Sequence, residues 1–283
     1  MVSVVIVQHN HADLTAAAVA SLHQTHGEGV DVIVVDNGSN DAGMTDGRLG
    51  PCTVLRSGEN RGFGAANNAG ARAARGDTLL FLNNDTIVRD PILPRIEEYF
   101  AATPVCGVAG LQILNPDGSP QNSTGADPRI WSIWQTSRKG YFHAPRATVR
   151  RDWVSGAALA VRRDVFEKAG GFDESYFMYY EDVDLCARIR RLGHEIHLID
   201  AGRIVHLKGG SQPGGMPPAL EKEFRNSQIR YYARYAPGAD RLLLRLYLIL
   251  RYLPTLLFGT GDARAVASHV VSLACGPADA YRH

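Results

Sequence analysis

The sequence predicts an α/β fold, a mainly parallel central sheet flanked by helices, followed by a C-terminal helical extension. Three observations predict it. Short β-branched runs alternate with Ala-rich helical patterns through the first half of the 283 residues. Several of these runs end in polar clusters, Gln8-His9-Asn10, Asp36-Asn37-Gly38-Ser39 and Asn83-Asn84-Asp85, and open α/β sheets bind ligands at the carboxyl ends of their parallel strands. After Gly215 the character changes, with a strongly apolar stretch from Leu242 to Phe258.

The elements follow in order. Val2 to Val7 is a first strand; it is too short, and lacks the basic leader, for a signal peptide. Strands follow at Val30 to Val35, Cys52 to Leu55 and Thr78 to Leu82, with crossover helices at Leu14 to Leu22 and Ala65 to Ala74. From about Pro116 to Arg151, Pro, Gly, Ser and Arg dominate, which marks a long excursion whose role is not legible. Order returns at Trp153 to Val161, with a short helix over Arg163 to Ala169 and a turn at Gly170-Gly171-Phe172-Asp173. Glu181 opens a helix that stops at Gly193, and Glu195 to Ile199 and Arg203 to His206 read as two strands. In the apolar C-terminal stretch Arg245 and Arg251 interrupt the run and Pro254 is expected to kink it, so an interfacial amphipathic helix fits better than a membrane span. A packed core helix and a homodimer contact are equal readings of the same segment. The division drawn is 1–215 for the main domain and 216–283 for the extension.

Composition narrows the function. Thirty Lys and Arg against 29 Asp and Glu leave a net charge of +1, so no global field recruits nucleic acid and any polyanion site is local. Cys52, Cys106, Cys186 and Cys275 show no metal-ligand spacing, which fits reduced thiols in a cytoplasmic protein.

Five constellations carry chemistry. Asn83-Asn84-Asp85 ends an apolar strand with one carboxylate, and Mg²⁺ or Mn²⁺ on a diphosphate needs only one or two carboxylates beside the phosphate oxygens; alone, the same residues make a turn or a helix cap. Asp36, with Asn37, sits at another strand end where a nucleobase or ribose would donate hydrogen bonds. In Asn60-Arg61-Gly62-Phe63-Gly64-Ala65-Ala66-Asn67, glycines permit close backbone approach and Arg61 can face a phosphate. A dehydrogenase would place such glycines after the first strand, where this chain has none. Glu181-Asp182-Val183-Asp184 sets three carboxylates behind the aromatic run Tyr176 to Tyr180. A carboxylate beside aromatic surface suits a general base for a sugar hydroxyl, and the aromatics suit a sugar face, although acids in a first helical turn also serve capping. His206 and Lys208 end a strand with an imidazole and an ammonium fit for metal and diphosphate.

In that order, Val2-Ser3-Val4, Val35-Asp36-Asn37-Gly38, Asn60-Arg61-Gly62-Phe63-Gly64, Leu82 to Asp85, Trp153-Val154-Ser155-Gly156, Gly170 to Glu174, Glu181 to Leu185 and His206 to Ser211 resemble the inverting family 2 glycosyltransferases of GT-A fold, in their rhamnosyltransferase-like branch. The resemblance covers about residues 2 to 211. It implies that Asp36 contacts the nucleobase, that Asp85 is the metal-binding carboxylate, that Asp182 is the catalytic base, and that His206 lies near metal and diphosphate. Glu181 and Trp153, with Tyr180 and Gly156, would line the acceptor side, and Glu181 would share the catalytic carboxylate pair. Gln8, Asn10, Asn37, Arg61, Gly62, Phe63, Asn67, Asn83, Asn84 and Lys208 would line the donor. Two departures stand out. Gln8-His9-Asn10 replaces the usual Thr-Tyr-Asn or Asn-Tyr-Asn, and Asn83-Asn84-Asp85 carries one carboxylate instead of two.

The implied activity is inverting transfer from a nucleoside-diphosphate sugar, dTDP-rhamnose first, to a saccharide or a polyprenyl-diphosphate-linked acceptor, in cell-wall or polysaccharide assembly at the inner face of the plasma membrane. Other donors, UDP-galactofuranose or UDP-N-acetylglucosamine, are the alternative within the class. A non-catalytic nucleotide-sugar-binding protein and a nucleotidyltransferase are the rivals outside it. The latter would normally carry a glycine-rich basic loop after the first strand, which Gln8 to Asp13 lacks.

Overall fold

The computed structural model describes residues 1–40, 49–130, 148–207 and 216–277. At its centre β1 (Val2–Gln8) pairs in parallel with β2 (Asp31–Asn37) on one side and β4 (Thr78–Asn83) on the other, and β3 (Thr53–Ser57) adds in parallel to β2. β10 (Ala158–Arg162) then runs antiparallel between β4 and β6 (Cys106–Leu114). β11 (Glu195–His206) lies parallel to β6, and β5 (Thr86–Val88) and β8 (Val149–Arg151) pair antiparallel with β11. The sheet is therefore mainly parallel, in the order β3-β2-β1-β4-β10-β6-β11-β5. A separate two-stranded ribbon, β7 (Thr124–Gly125) with β9 (Trp153–Val154), packs Val154 against Gly110 of β6.

Both faces of this sheet are covered, which is why its central strands read as continuous apolar runs. Val4 and Ile6 point to the layer built by α1 (Ala12–His26) and α3 (Ile92–Ala102), where Val19, Leu22, Ile96 and Phe100 are buried. Val5, one residue out of phase, faces α2 (Phe63–Ala73) and α5 (Glu181–Arg191), with Leu185, Ile189, Phe166 and Phe172 in the same core. The short α4 (Arg163–Lys168) follows β10 directly. A third core joins the extension, α6 (Pro218–Tyr235), α7 (Gly238–Phe258) and α8 (Gly261–Cys275), to Tyr176, Val183 and Ala187. All four cysteines are free thiols.

Several expectations need correction. Glu195 to Ile199 and Arg203 to His206 form one strand, and an irregularity in its register with β6 between Ile199 and Ile204 produced the appearance of two. Pro254 lies inside α7, which continues to Phe258; its missing N–H leaves only the carbonyl of Leu250 without a helical partner, and that residue is 72% exposed to solvent. The element α3 escaped the sequence reading because Pro91 and Pro94 look like breakers, yet the first turn of a helix tolerates proline. β6 was masked by Gly107 and Gly110. Gly110 is required, since a Cβ there would stand 2.5 Å from Val154 Cβ.

Candidate functional site

The strand register assembles a rim at the carboxyl edge of the parallel strands. Gln8 lies opposite Asp36, and Val7 opposite Asn83, so the ends of β1, β2 and β4 are neighbours. Asp36 Oδ1 accepts a hydrogen bond from the Ser39 amide at 3.1 Å, and the Ser39 hydroxyl accepts from Gln8 Nε2 at 3.0 Å and from the Asn10 amide at 2.9 Å. Asn10 takes a left-handed conformation (φ 58°) and its Oδ1 accepts from the Asn40 amide at 2.7 Å. Gln8 is fully buried and also accepts from Thr15 Oγ1 and the His11 amide, so it shapes the rim from behind.

Asn37 fixes the Arg61 loop. Its amide donates to Asn60 Oδ1 at 2.9 Å and to the Gly62 carbonyl at 3.2 Å, while its oxygen accepts from the Arg61 N–H at 3.0 Å. Arg61 itself reaches solvent and meets Glu174 at 3.3 Å. Gly62 (φ +89°) has no room for a side chain, because a Cβ would sit 2.5 Å from the Phe177 carbonyl oxygen; the Phe63 N–H donates to that same oxygen at 2.9 Å. Asn67, 1% exposed, donates to the Phe63 carbonyl at 3.0 Å and belongs to the interior of the helix.

At the end of β4 the polar groups converge. His206 Nε2 lies 2.9 Å from Asp85 Oδ1 and 3.2 Å from Asn83 Nδ2, and Asn84 Nδ2 donates to Thr15 Oγ1 at 3.2 Å. The pairing of β5 with β11 brings them together, with Thr86 opposite His206 and the Leu207 N–H donating to the Asp85 carbonyl at 2.8 Å. His206 Nδ1 donates to Gln121 Oε1 at 2.6 Å, which leaves Nε2 to face Asp85. Gln121 was invisible in the sequence, being one amide in a stretch without periodicity. Among the described residues no three His, Cys, Asp or Glu side chains converge as a metal cage. The pair is nonetheless consistent with a hard cation. Two ligands on adjacent corners of an octahedron with bonds near 2.1 Å stand about 3 Å apart, close to the 2.9 Å between His206 Nε2 and Asp85 Oδ1. A second partner fixing the imidazole tautomer is the usual support for such a ligand.

Asp182 connects to this corner through β10. The Asn83 N–H donates to the Ala157 carbonyl at 3.0 Å, and the Gly156 N–H donates to Asp182 Oδ2 at 2.9 Å. Asp182 Oδ1 accepts from the Val183 N–H at 2.8 Å. Burial raises the Asp182 carboxyl above its ordinary value even though these two amides oppose the shift. Glu181 is pushed further up, by burial and then by the charge of Asp182, and its buried Oε2 has no hydrogen-bond partner among the described residues. Asp184 differs in kind. It is fully buried and takes hydrogen bonds from Arg188 Nε at 2.7 Å and the Tyr235 hydroxyl at 2.5 Å, so it anchors α5 to the extension.

The approach to Glu181 is strained. Tyr179 and Tyr180 both adopt left-handed backbone (φ 68° and 66°), at about 1 kcal/mol or more each for residues with a Cβ. The extension holds them there. Tyr179 and Tyr180 each meet Phe224 at 5.5 Å between ring centroids, Tyr180 also meets Tyr231 at 5.4 Å, and Ser227 Oγ donates to the Met178 carbonyl at 2.9 Å. Trp153 lies across Gly125 and donates from Nε1 to the Ala126 carbonyl at 2.9 Å. Lys208 lies outside the described residues.

Comparison with known proteins supplies the context. A family model described as glycosyl transferase family 2 matches residues 3–170. The N-acetylglucosaminyl-diphospho-decaprenol L-rhamnosyltransferase of Mycobacterium tuberculosis is 30% identical over 71% of this chain and 73% of its own length. The O-antigen biosynthesis protein RfbC of Myxococcus xanthus is 30% identical over 84% of this chain, which spans only 20% of that longer protein; the chain likewise spans 27% of the y4gI protein of Sinorhizobium fredii. Among solved structures, GalNAc-T7 with UDP, GalNAc and Mn²⁺ aligns at a TM-score of 0.59 and 20% identity over 82% of this chain and 50% of that one. A mannosyltransferase of Pyrobaculum calidifontis with GDP-Man and Mn²⁺ aligns at 0.56 and 18% over 99% and 82%. These two likenesses establish the fold as the GT-A type.

Proposed function

The chain belongs to glycosyl transferase family 2, and from that premise we propose that residues 1–215 form an inverting transferase acting on a nucleoside-diphosphate sugar, with Asp182 as its base. The observation that carries the proposal is the short path from Asp182 through Gly156 and Ala157 to Asn83, which neighbours the Asp85–His206 pair. A carboxylate with raised basicity would thus stand beside the corner suited to a diphosphate.

In the proposed mechanism Asp182 takes the proton of the acceptor hydroxyl as that oxygen attacks the anomeric carbon. The nucleoside diphosphate leaves on the opposite side and the configuration inverts. Backbone amides at both Asp182 oxygens fix the carboxylate in place, so little reorganisation is needed. Asp85 and His206 are the groups that would hold Mg²⁺ or Mn²⁺, which would supply charge neutralisation to the departing diphosphate. Mn²⁺ in the two structural neighbours supports a divalent ion without selecting between the two metals. Asp36 and Asn10 are assigned to the nucleoside, Asn37, Gly62 and Phe63 to the loop that presents Arg61 to phosphate, and Trp153 to the acceptor.

The mycobacterial relative's name supports L-rhamnose as the sugar and a polyprenyl-diphosphate-linked saccharide, held at a membrane face, as the acceptor. The test is a thermal-shift panel of dTDP-, UDP- and GDP-sugars with Mn²⁺ or Mg²⁺. A donor at about 100 times its Kd stabilises by about 2.7 kcal/mol, a rise of roughly 5 to 10 °C for a chain of this size. dTDP-rhamnose is expected to give the largest rise, and Asp85→Ala or His206→Ala should remove its metal-dependent part. If no nucleotide sugar moves the transition, the transferase reading fails. If a UDP- or GDP-sugar wins, the rhamnosyl assignment alone fails.

A further inference from the structure

The outer face of α7 is made of leucine. Leu242, Leu243, Leu246, Leu250, Leu253 and Leu257 are all exposed, up to 72% at Leu250, and Phe258 at the helix end is 85% exposed. At 100° per residue these six leucines fall within an arc of roughly 100°, along about 22 Å of helix. The opposite face, Leu244, Leu248 and Tyr252, is buried against the extension's own core, so the helix is fixed in place with its apolar stripe turned outward. Isolated exposed leucines are ordinary, but a continuous row on one helix face marks a docking surface.

Charge decides the occupant. From Arg241 to Phe258 the helix contains no acidic residue, and its charged side chains are Arg241, Arg245 and Arg251; Arg245 and Arg251 border the leucine arc on either side, and Arg241 falls on the opposite face. A cavity of about 320 Å³ opens beside the stripe, with Arg241, Arg245 and Leu242 in its wall. A second copy docked on this face about a two-fold axis would bring arginine against arginine, which is unfavourable. No helix among the described residues is long and apolar enough to cross a membrane. A helix with a leucine face, basic flanks and its back packed on protein fits the interfacial plane of an anionic bilayer.

We propose that α7 docks the protein flat on an anionic lipid surface through this leucine stripe, with the flanking arginines facing lipid phosphates. The inference deepens the proposed function, since it rests on that reading for the membrane-held acceptor, but its test needs no catalysis. Co-sedimentation with vesicles of phosphatidylcholine alone, or mixed with phosphatidylglycerol, reads it directly. The wild type should bind the mixed vesicles and lose affinity as salt rises. Leu246→Glu combined with Leu250→Glu should weaken binding on the order of a hundredfold, with an unchanged melting temperature because both side chains lie in solvent. Arg251→Gln should weaken it by about fivefold, on the anionic vesicles only. Absence of binding to the mixed vesicles, or unchanged binding by the double glutamate variant, overturns the proposal. So does a stable dimer in sedimentation velocity that the double variant dissolves, which would give the face to a second copy. Vesicle binding in a protein whose melting no nucleotide sugar shifts would sink the transferase reading and leave this one standing.

Discussion

Asp182→Asn separates catalysis from architecture, because the structure sets different magnitudes for the two. Both oxygens of Asp182 accept backbone N–H groups, from Gly156 at 2.9 Å and Val183 at 2.8 Å. Asparagine has one acceptor oxygen, so one of these amides would face an NH₂ group. An unpaired buried donor costs about 1–3 kcal/mol, offset in part because the desolvated charge, the cause of the raised Asp182 carboxyl, disappears with the substitution. A fall of only a few degrees in melting temperature is expected. Loss of a general base lowers turnover by about 10²–10⁴-fold, equivalent to roughly 3–5 kcal/mol in the barrier, well above the structural loss. Wild-type turnover should also decline on acidification from a pH above the ordinary carboxylate range, since the base works only when deprotonated. Turnover measured with the donor found by thermal shift, and donor affinity by titration calorimetry, check the reasoning. An Asp182→Asn variant that keeps more than about a tenth of wild-type turnover refutes the base assignment. One that folds but loses donor affinity equally would move Asp182 to donor binding.

Glu181→Gln should stabilise the protein at neutral pH and flatten its stability profile. The folded Glu181 is held above its ordinary value of 4.5, so the native state binds the extra proton and wild-type stability falls as pH rises from that value through the raised one; equal melting curves for both proteins from acid to alkaline pH would contradict this. Asp184→Ala leaves the half-buried Arg188 without its carboxylate and frees the Tyr235 hydroxyl, a loss of about 3–5 kcal/mol, read as a fall of roughly 6 to 15 °C in Tm. Gly62→Ala forces a Cβ to 2.5 Å from the Phe177 oxygen at a φ of +89°. It should therefore lower Tm and impair donor binding together, and a variant with wild-type melting and affinity would show that this close approach relaxes freely.

How much of this was legible follows from what each residue depends on. β1, β2 and β4 were readable to within two residues because two-sided burial makes their sequences apolar throughout, and the polar cluster at each end is local text. The Glu181 helix was readable for the same reason, from acids in its first turn to the stop at Gly193. The contact between Asp85 and His206 spans more than a hundred residues and depends on the three-residue β5, too short to leave a pattern. Gln121 depends on nothing local. Equally hidden were the division of labour among Glu181, Asp182 and Asp184, which their spacing presents as equivalent, and the scaffold engagement of Gln8 and Asn67. Burial and partners sort them, and both belong to the tertiary structure.

The reversed strand β10 has a consequence for how specificity can change. Because it runs against β4, with Ala158 opposite Leu82, its amino-terminal end meets the carboxyl ends of its neighbours. Gly156 and Ala157 therefore enter the rim from a separate stretch of polypeptide, more than seventy residues downstream of Asp85. The groups assigned to the nucleotide lie mostly in the first third of the sequence, with His206 and Lys208 in the last, and those assigned to the incoming hydroxyl lie in the middle third. Evolution, or a protein engineer, can thus vary the segment between β6 and β9 to accept a new saccharide while the strand ends assigned to the activated sugar stay untouched, provided that Gln121, the partner of His206, is kept.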